Sequence, residues 1–302
     1  ALDFSPDGKW MAVSGFHEVL LLDAAAGQLA ARLVGLSERI ESVSFSPDGT
    51  RLAVAGGQPG RMGEVQVWDV EKRQLTLSVP VTFDTVYGAA WSPDGRQIAF
   101  GGADKSVRAI DAETGKQTFF VLTHEDWVQD TVFSTKGDYI VSVGRDMTAK
   151  LSETATQRFV DNITSITPGA LKGGLQTISR HPQRDEVLVA GSDGEPRLYR
   201  LTREVERKIG DDSNLIRQFP AVAGRLWTSA FAPDGKTFAV GGSLDGKGVV
   251  AFYSCDVDSK LPEEIKAIYR KESTGRNAEE KKKVEELLRA GVAKLREVEV
   301  PA

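Results

Sequence analysis

Hydrophobic and polar positions alternate in short segments along most of the chain, and polar turn residues separate these segments. The chain opens with LDFSPDGKWMAVSG, in which two apolar segments flank a Pro-Asp-Gly turn. Proline presets one backbone angle of such a turn and glycine tolerates the positive φ that closes it, so the turn predicts a hairpin tip. Short segments with period-two alternation on either side predict β-strands.

The opening pattern recurs along the chain. Clear copies begin at Val43, Ala89 and Ser229, and weaker copies begin at Thr131 and Thr177. Successive spacings between the aligned residues are 41, 46, 42, 46 and 52, for Phe4, Phe45, Trp91, Phe133, Ser179 and Phe231. Each copy predicts four strands, called a, b, c and d here. A repeat of roughly 40 to 50 residues is typical of a propeller blade, so the predicted fold is an all-β propeller of four-stranded antiparallel blades.

Residues 1–258 resemble the WD-repeat β-propeller family. The motif Trp68-Asp69 is a literal Trp-Asp pair, and the segment VGRDMTAKL resembles the end of a family repeat. The resemblance implies that His124 reaches Asp146 in the loop of its own blade. Six visible repeats predict six blades, and a seventh blade built partly from sequence outside this chain is the alternative.

A narrower resemblance rests on the segments VTFDTVYGAAWSPDG, ATQRFVDNITSITPGALKGGLQ and RHPQRDEVLVAGSDG. They are similar to the propeller part of large bacterial proteins that join a c-type cytochrome domain to WD repeats. That resemblance implies a periplasmic location, with a cytoplasmic one as the alternative. Cys255 is the one cysteine, so this chain carries no C-x-x-C-H haem motif. Because the chain begins inside a strand pattern without Met, we expect a fragment or a processed form.

The composition changes after residue 258, where Lys and Glu become frequent and the periodicity becomes helical. Residues 259–302 are therefore predicted to form a short helical C-terminal extension. Pro262 predicts the start of one helix, and Asn277 with Glu280 predicts a capped second helix. We expect these helices to pack on the side of the propeller, with a partner-binding helix as the alternative. Alternation around Val298 predicts a final strand that completes the last blade, with a strand from sequence upstream of this chain as the alternative.

Composition and motifs argue against several functional classes. The net charge of -5 argues against a nucleic-acid binder, and no apolar run is long enough for membrane insertion. We find no nucleophile elbow, phosphate-binding loop or zinc-protease motif in the sequence. His17 and His124 are predicted at one end of the blades and His181 at the other, so they cannot form one site. We therefore expect no enzymatic activity, no cofactor and no metal.

Long connections predict where a binding face lies. In a four-stranded meander, the b-c turns and the connections between blades lie at one end, opposite to the a-b and c-d turns. The long segments are 56–64 and 241–248, assigned between strands b and c, and 161–174 and 210–225, assigned between blades. All four are therefore predicted at one face.

Variable loops on a rigid scaffold commonly carry binding, and aromatic and arginine side chains commonly anchor protein interfaces. We therefore predict a non-catalytic scaffold that binds a protein partner or a neighbouring domain at this face. The candidate anchors are Arg39, Arg61, Phe83, Tyr87, Trp127, Arg145 and Arg217. For Tyr87 and Trp127 the alternative is that they fill space between blades. The alternative function is an accessory domain of a redox or hydrolytic enzyme whose cofactor or catalytic group lies elsewhere. The sequence leaves the oligomeric state open.

Overall fold

A computed structural model describes residues 1–167, 170–208 and 210–300 of the chain. Over these ranges it contains 23 strands and two α-helices. The chain divides into two compact units: Ala1–Ser142 with Ser152–Phe159, and Val143–Leu151 with Val160–Ala302. Neighbouring strands pair antiparallel, and the sheets are built from sets of four strands. The predicted all-β fold with four-stranded antiparallel sheets and a helical C-terminal extension is confirmed at this level.

The first unit contains three sets of four strands and the first strand of a fourth. Its complete strands are β1 (Leu2–Phe4), β2 (Trp10–Ser14), β3 (Phe16–Asp23), β4 (Leu29–Phe45), β5 (Arg51–Gln58), β6 (Met62–Asp69), β7 (Gln74–Thr82), β8 (Val86–Trp91), β9 (Gln97–Gly102), β10 (Val107–Asp111), β11 (Gln117–Val121) and β12 (Val128–Phe133). The 17-residue strand β4 pairs with β3 through its first half and with β5 through its second half. It is therefore strand d of the first sheet (β1–β4) and strand a of the second sheet (β4–β7). Strands β8–β11 form the third sheet.

Consecutive sheets of the first unit pack face to face through apolar side chains. Ala12 and Leu21 of the first sheet lie in one cluster with Phe45 of the second sheet. The opposite face of the second sheet, with Ala53, packs on Trp91 of the third sheet. Strands β5 and β6 are therefore buried on both faces, which explains why they are rich in small and branched apolar residues.

The Pro-Asp-Gly turns form the predicted hairpin tips. In the second repeat, the Ser46 hydroxyl donates to Asp48 Oδ1 at 2.6 Å, and the Thr50 backbone N–H donates to the same oxygen at 3.0 Å. These hydrogen bonds lower the pKa of Asp48. Gly49 has a φ of +72° and closes the turn. The recurring aspartates of this motif thus stabilise turns.

The remaining strands, together with β12, form three more sets of four. They are β13 (Tyr139–Gly144), β14 (Ala149–Glu153), β15 (Arg158–Asn162), β16 (Leu175–Arg180), β17 (Glu186–Gly191), β18 (Arg197–Arg200), β19 (Leu215–Gln218), β20 (Arg225–Phe231), β21 (Thr237–Leu244), β22 (Lys247–Ser254) and β23 (Ala293–Val300), with helices α1 (Glu263–Tyr269) and α2 (Ala278–Arg289). The strand orders are β12 to β15, β16 to β19 and β20 to β23. Together with the first three sheets, the described residues contain six sets of four strands.

The assignment of segment 210–225 to a connection between blades is wrong. Its residues Leu215–Gln218 form β19, the fourth strand of its sheet, with Arg217 opposite Leu198 of β18. The four residues LIRQ lack the alternation that predicts a strand, because three of them are buried. The long connection of this sheet is therefore 201–214, between strands c and d, at the end opposite to the b-c turns.

The C-terminal extension packs on the second unit. Ile265 and Ile268 of α1 form an apolar cluster with Val205 of the 201–214 connection. Helix α2 begins with the predicted capping box between Asn277 and Glu280. Strand β23 pairs antiparallel with β22, so that the last sheet contains four strands.

A buried carboxylate joins the first two sheets. Glu64 Oε2 accepts hydrogen bonds from Ser37 Oγ at 2.6 Å and from Gln66 Nε2 at 2.7 Å, and Oε1 accepts from Ser78 Oγ at 2.5 Å. Trp68 Nε1 extends this network by donating to Gln66 Oε1 at 2.9 Å. Ser37 lies where β4 passes from the first sheet to the second, so the network fixes this crossing.

A second buried carboxyl group lies in the 201–214 connection of the second unit. The Tyr199 hydroxyl donates to Asp212 Oδ2 at 3.2 Å, and Asp212 Oδ1 is buried although other atoms of the residue reach solvent. Burial raises the pKa of Asp212 to about 7. The neighbouring Asp211 behaves in the opposite way: burial raises its pKa, but hydrogen bonds from Ser213 and Lys208 outweigh this effect and lower it.

We predict that Glu64→Ala lowers the free energy of unfolding by roughly 2 to 3 kcal/mol, because it removes three hydrogen bonds to a buried charge. The measurement is the urea midpoint of unfolding. Glu18→Ala is the matched control, since Glu18 pairs with the exposed Arg32 and should change stability by less than about 1 kcal/mol. Equal losses in the two variants would contradict the role assigned to Glu64.

We predict that Asp212→Asn stabilises the protein at pH 8 relative to the wild type. An unfolded aspartate ionises near pH 4 and the folded one near pH 7, so wild-type stability falls as the pH rises through this interval. The full cost above pH 7 is on the order of 4 kcal/mol, and the neutral amide avoids it. Unfolding midpoints between pH 5 and pH 8 test this. Asp211→Asn should instead destabilise the protein at pH 8, and a pH-independent difference between Asp212→Asn and the wild type would refute the assignment.

Candidate functional site

The turn between β7 and β8 presents Phe83 to solvent. The side chain is 92% exposed. Its neighbour Asp84 braces the turn, because Oδ1 accepts hydrogen bonds from the backbone N–H groups of Gly60 at 3.1 Å and Thr85 at 2.7 Å. The Thr82 hydroxyl also donates to the Asp84 carbonyl. The exposed phenyl ring is therefore held by an ordered turn.

Tyr87 and Trp127 form a stacked aromatic pair. Their ring centroids lie 5.9 Å apart and the ring planes differ by 20°. Tyr87 belongs to β8, and Trp127 immediately precedes β12, with its backbone N–H donating to Asp126 Oδ1 at 2.7 Å. Trp127 remains 37% exposed while Tyr87 is partly buried. The pair thus fills space between neighbouring sheets and still reaches the surface.

Two exposed arginines lie at the same end of these sheets. Arg61 lies in the b-c turn of the second sheet, and its backbone N–H donates to the Gln58 carbonyl at 3.0 Å. Arg39 lies opposite Gly57, at the start of the part of β4 that enters the second sheet, and forms a 3.0 Å ion pair with Glu41. Both side chains are thus exposed at this end of the first unit, and the Arg39 guanidinium is paired with Glu41.

Phe16 is a surface aromatic residue that the sequence analysis missed. It begins β3 at the b-c turn of the first sheet, lies opposite Arg39 and is 75% exposed. Its ring meets the edge of His17 at a centroid distance of 4.2 Å. An aromatic residue in a b-c turn was the available signal. We call the set Phe16, Arg39, Arg61, Phe83, Tyr87 and Trp127 the aromatic face.

The two remaining candidates belong to the second unit and differ in exposure. Arg145 is exposed in the turn between β13 and β14. Arg217 is buried in β19, where its guanidinium donates to the carbonyls of Ala290 at 2.8 Å, Ile216 at 2.7 Å and Asp258 at 3.3 Å. Burial also lowers its pKa. The assignment of Arg217 as a surface anchor is therefore corrected: this side chain fastens the C-terminal extension.

Two of the three histidines, His124 and His181, occupy structural positions. His124 is buried and its Nε2 lies 2.8 Å from Ser142 Oγ, on strand b of its own repeat. His181 is also buried: Nδ1 accepts from the backbone N–H groups of Gln183 and Arg184, both at 3.1 Å, and Nε2 donates to the Gly235 carbonyl. Burial lowers the pKa of His181, which keeps the ring neutral for these bonds.

Other chemistry has little support in the part of the chain that the structure describes. Those residues contain no group of three or more His, Cys, Asp or Glu side chains placed to hold a metal ion. Burial raises the pKa of Cys255 to about 12, so its thiol is a poor nucleophile. Neither described helix is long and apolar enough to cross a membrane.

Comparisons with known proteins match the repeats, the whole sequence and the fold. Residues 73–111 and 115–151 match the family model "WD domain, G-beta repeat". The chain is 26% identical over 259 residues to eukaryotic translation initiation factor 3 subunit I of Aspergillus oryzae, covering 80% of this chain and 75% of the relative. The same subunit of Coccidioides immitis is 26% identical over 263 residues, with the same coverage. A chain of a structure titled "Crystal Structure of Mitotic Checkpoint Complex" shares the fold, with a TM-score of 0.69 and 15% identity over 84% of this chain and 75% of that one.

These relatives overturn one expectation and leave another without support. The predicted periplasmic location is wrong, because the relatives are subunits of a eukaryotic translation factor. They also give no support to a bacterial origin or to the resemblance to cytochrome-linked proteins. The segments that carried that resemblance are ordinary parts of the repeats, such as β8 with its turn and the β16–β17 hairpin. The matched repeats, the relatives and the shared fold together support the placement of this chain in the WD40-repeat propeller family.

Proposed function

We propose that this chain is a non-catalytic scaffold that binds a protein partner through the aromatic face of its first unit. The observation that carries the proposal is the nearly complete exposure of Phe83 on a turn braced by Asp84. A large apolar side chain in an ordered turn loses little conformational entropy when a partner covers it. Exposed aromatic side chains are also common anchors of protein interfaces.

The neighbouring side chains support the same role. The Tyr87–Trp127 pair adds a flat apolar surface close in sequence to Phe83, and aromatic residues are enriched among interface hot spots. Arg39 and Arg61 add positive charge at this end of the unit, where rim charges would steer an approaching partner. Arg145 stays a candidate anchor in the second unit.

The relatives indicate the setting in which such a scaffold would act. Their name describes a subunit of a multi-subunit translation initiation factor. We propose that this chain is likewise a subunit of a multiprotein assembly and acts inside the cell, without nucleic-acid contacts of its own.

The proposed domain organisation keeps residues 1–258 as the propeller domain and 259–302 as an extension. The α1 contacts with Val205 support a structural role for the extension, and the pairing of β23 with β22 supports its assignment to the last blade. We propose that each set of four strands is one blade, which gives six blades within the described residues.

We predict that Phe83→Ala and Trp127→Ala each weaken partner binding at least tenfold, the loss typical of truncating an interface hot spot by about 1.4 kcal/mol or more. The measurement compares, by quantitative mass spectrometry, the proteins retained from an extract of the source organism by wild-type and variant proteins. The Phe83→Ala melting temperature should stay within about 2 °C of wild type, since its side chain contributes little to the core.

Phe159→Ala is the matched control for Phe83→Ala. Phe159 is an exposed phenylalanine of the same unit, but it lies on β15, away from the b-c turns. This control should retain the same proteins as the wild type. Retention of an unchanged set of proteins by Phe83→Ala, Trp127→Ala and the charge reversal Arg61→Glu would show that the aromatic face does not bind the partner.

A further inference from the structure

A cleft lies at the b-c end of the last sheet, within the second unit. Its volume is about 210 Å³. Three segments form its walls: the β21–β22 hairpin, the connection that precedes β20, and the end of β23. Ala223, Leu244 and Val249 supply the apolar part of the lining. Small-molecule sites usually exceed roughly 300 Å³, so this cleft has the size for one long side chain rather than for a cofactor.

Carboxylates dominate the charged part of the lining. Asp245, Glu297 and Glu299 line the cleft, and Lys247 is the basic residue beside them. Glu299 pairs with Lys247 at 3.3 Å, and Glu297 pairs with Lys294 at 2.6 Å. Three carboxylates thus stand against two ammonium groups, and the cleft keeps a negative charge.

The other repeats show which side chain normally fills this part of a sheet. Strand c carries a long polar side chain at one aligned position of the second, third and fifth sheets. These residues are Gln66, Arg108 and Arg197, which lie opposite Val54, Phe100 and Val189 of strand b. In the last sheet the same position, opposite Val240, is occupied by Ala251. The last sheet therefore lacks the long side chain.

In three consecutive repeats this side chain is basic and reaches an aspartate of the b-c turn, four residues earlier in the sequence. The ion pairs are Arg108–Asp104 at 2.6 Å, Lys150–Asp146 at 3.7 Å and Arg197–Asp193 at 2.8 Å. The Arg197 side chain is only 7% exposed. These repeats thus close the b-c end of the sheet with a buried or nearly buried basic side chain of their own.

The last sheet keeps the acidic half of this arrangement without the basic half. Asp245 lies in its b-c turn, and the methyl group of Ala251 is too short to reach it. Val249 aligns with Glu64 of the second sheet, and its side chain is also too short to fill the space. Glu297 lies opposite Ala251 and adds a second carboxylate. The cleft thus opens where the third, fourth and fifth sheets hold a basic side chain.

We propose that this cleft binds an arginine side chain of a protein partner, which takes the place of the basic side chain that the last sheet lacks. The negative charge of the lining complements a guanidinium group, whose planar fork donates to carboxylates in fixed directions. The aliphatic stem of an arginine matches the apolar surface of Leu244 and Val249. The cleft belongs to the second unit, so the proposal does not rest on the function proposed for the aromatic face.

A peptide titration tests the proposal. The probe is acetyl-Gly-Ser-Arg-Ser-Gly-amide, and the matched ligand carries citrulline, which keeps the shape of arginine without its charge. Ligand-observed NMR measures both affinities for the protein. The arginine peptide should bind with a Kd on the order of 1 mM, as expected for one charged side chain, and the citrulline peptide at least ~10-fold more weakly.

Variants of the lining locate the binding site. Asp245→Asn and Glu297→Gln should each weaken binding of the arginine peptide at least ~5-fold, because each removes a charged hydrogen-bond acceptor. Glu286→Gln is the matched control, since Glu286 is an exposed carboxylate of α2 that pairs with Lys282, and it should bind the peptide like the wild type. Ala251→Arg supplies the missing side chain from the protein itself and should abolish peptide binding.

Three results would overturn the proposal. They are equal affinities for the arginine and citrulline peptides, wild-type affinity in both Asp245→Asn and Glu297→Gln, and no detectable binding of the arginine peptide at about 20 mM. Asp245 and Glu297 are exposed, so their substitution leaves the core intact. These two variants therefore decide the question if Ala251→Arg, at a buried position, fails to give the wild-type circular dichroism spectrum.

Discussion

Face-to-face packing of consecutive sheets is the constraint on which the rest of this structure depends. A single four-stranded sheet of short strands buries too little apolar surface to be stable in water. Each of the first three sheets therefore packs against the sheet that follows it in the chain. Ala12, Ala53 and Ala99 lie at these interfaces, and their small side chains allow the sheets to approach closely. The same demand explains why strands such as β5 and β6 have few polar side chains, and why the two buried ones, Glu64 and Gln66, are hydrogen-bonded to each other.

Because of this packing, side chains that can bind a partner lie at the ends of the strands and in the turns. Strand positions are committed to the core, so side chains that can vary without loss of stability lie in the turns. Phe83, Arg61 and Phe16 are all of this kind, and the hydrogen bonds of Asp84 show how a short turn can hold an aromatic ring in water. In the described part of the interior, the carboxyl groups of Glu64 and Asp212 and the ring of His181 take part in hydrogen bonds that hold strands and turns together.

The repeat period and the turn residues made the architecture predictable, because each Pro-Asp-Gly turn marks the hairpin between the first two strands of a repeat. Strand β19 was not predicted because tertiary contacts bury residues on both of its faces, so that its sequence does not alternate between apolar and polar positions. The same cause misplaced Arg217, whose surroundings depend on carbonyls 41 and 73 residues away in sequence. The aromatic candidates Phe83, Tyr87 and Trp127 could be located from their turns, but the stacking of Tyr87 on Trp127 depends on how two sheets meet. The burial of Asp212 likewise depends on the fold of a long connection.

The continuous strand β4 has a mechanical consequence. Because one continuous backbone serves as the last strand of the first sheet and the first strand of the second, no loop separates these two repeats. A fluctuation that separates the strands of the first sheet therefore acts directly on the first strand of the second sheet. We therefore expect the two repeats to exchange their amide hydrogens as a single foldon.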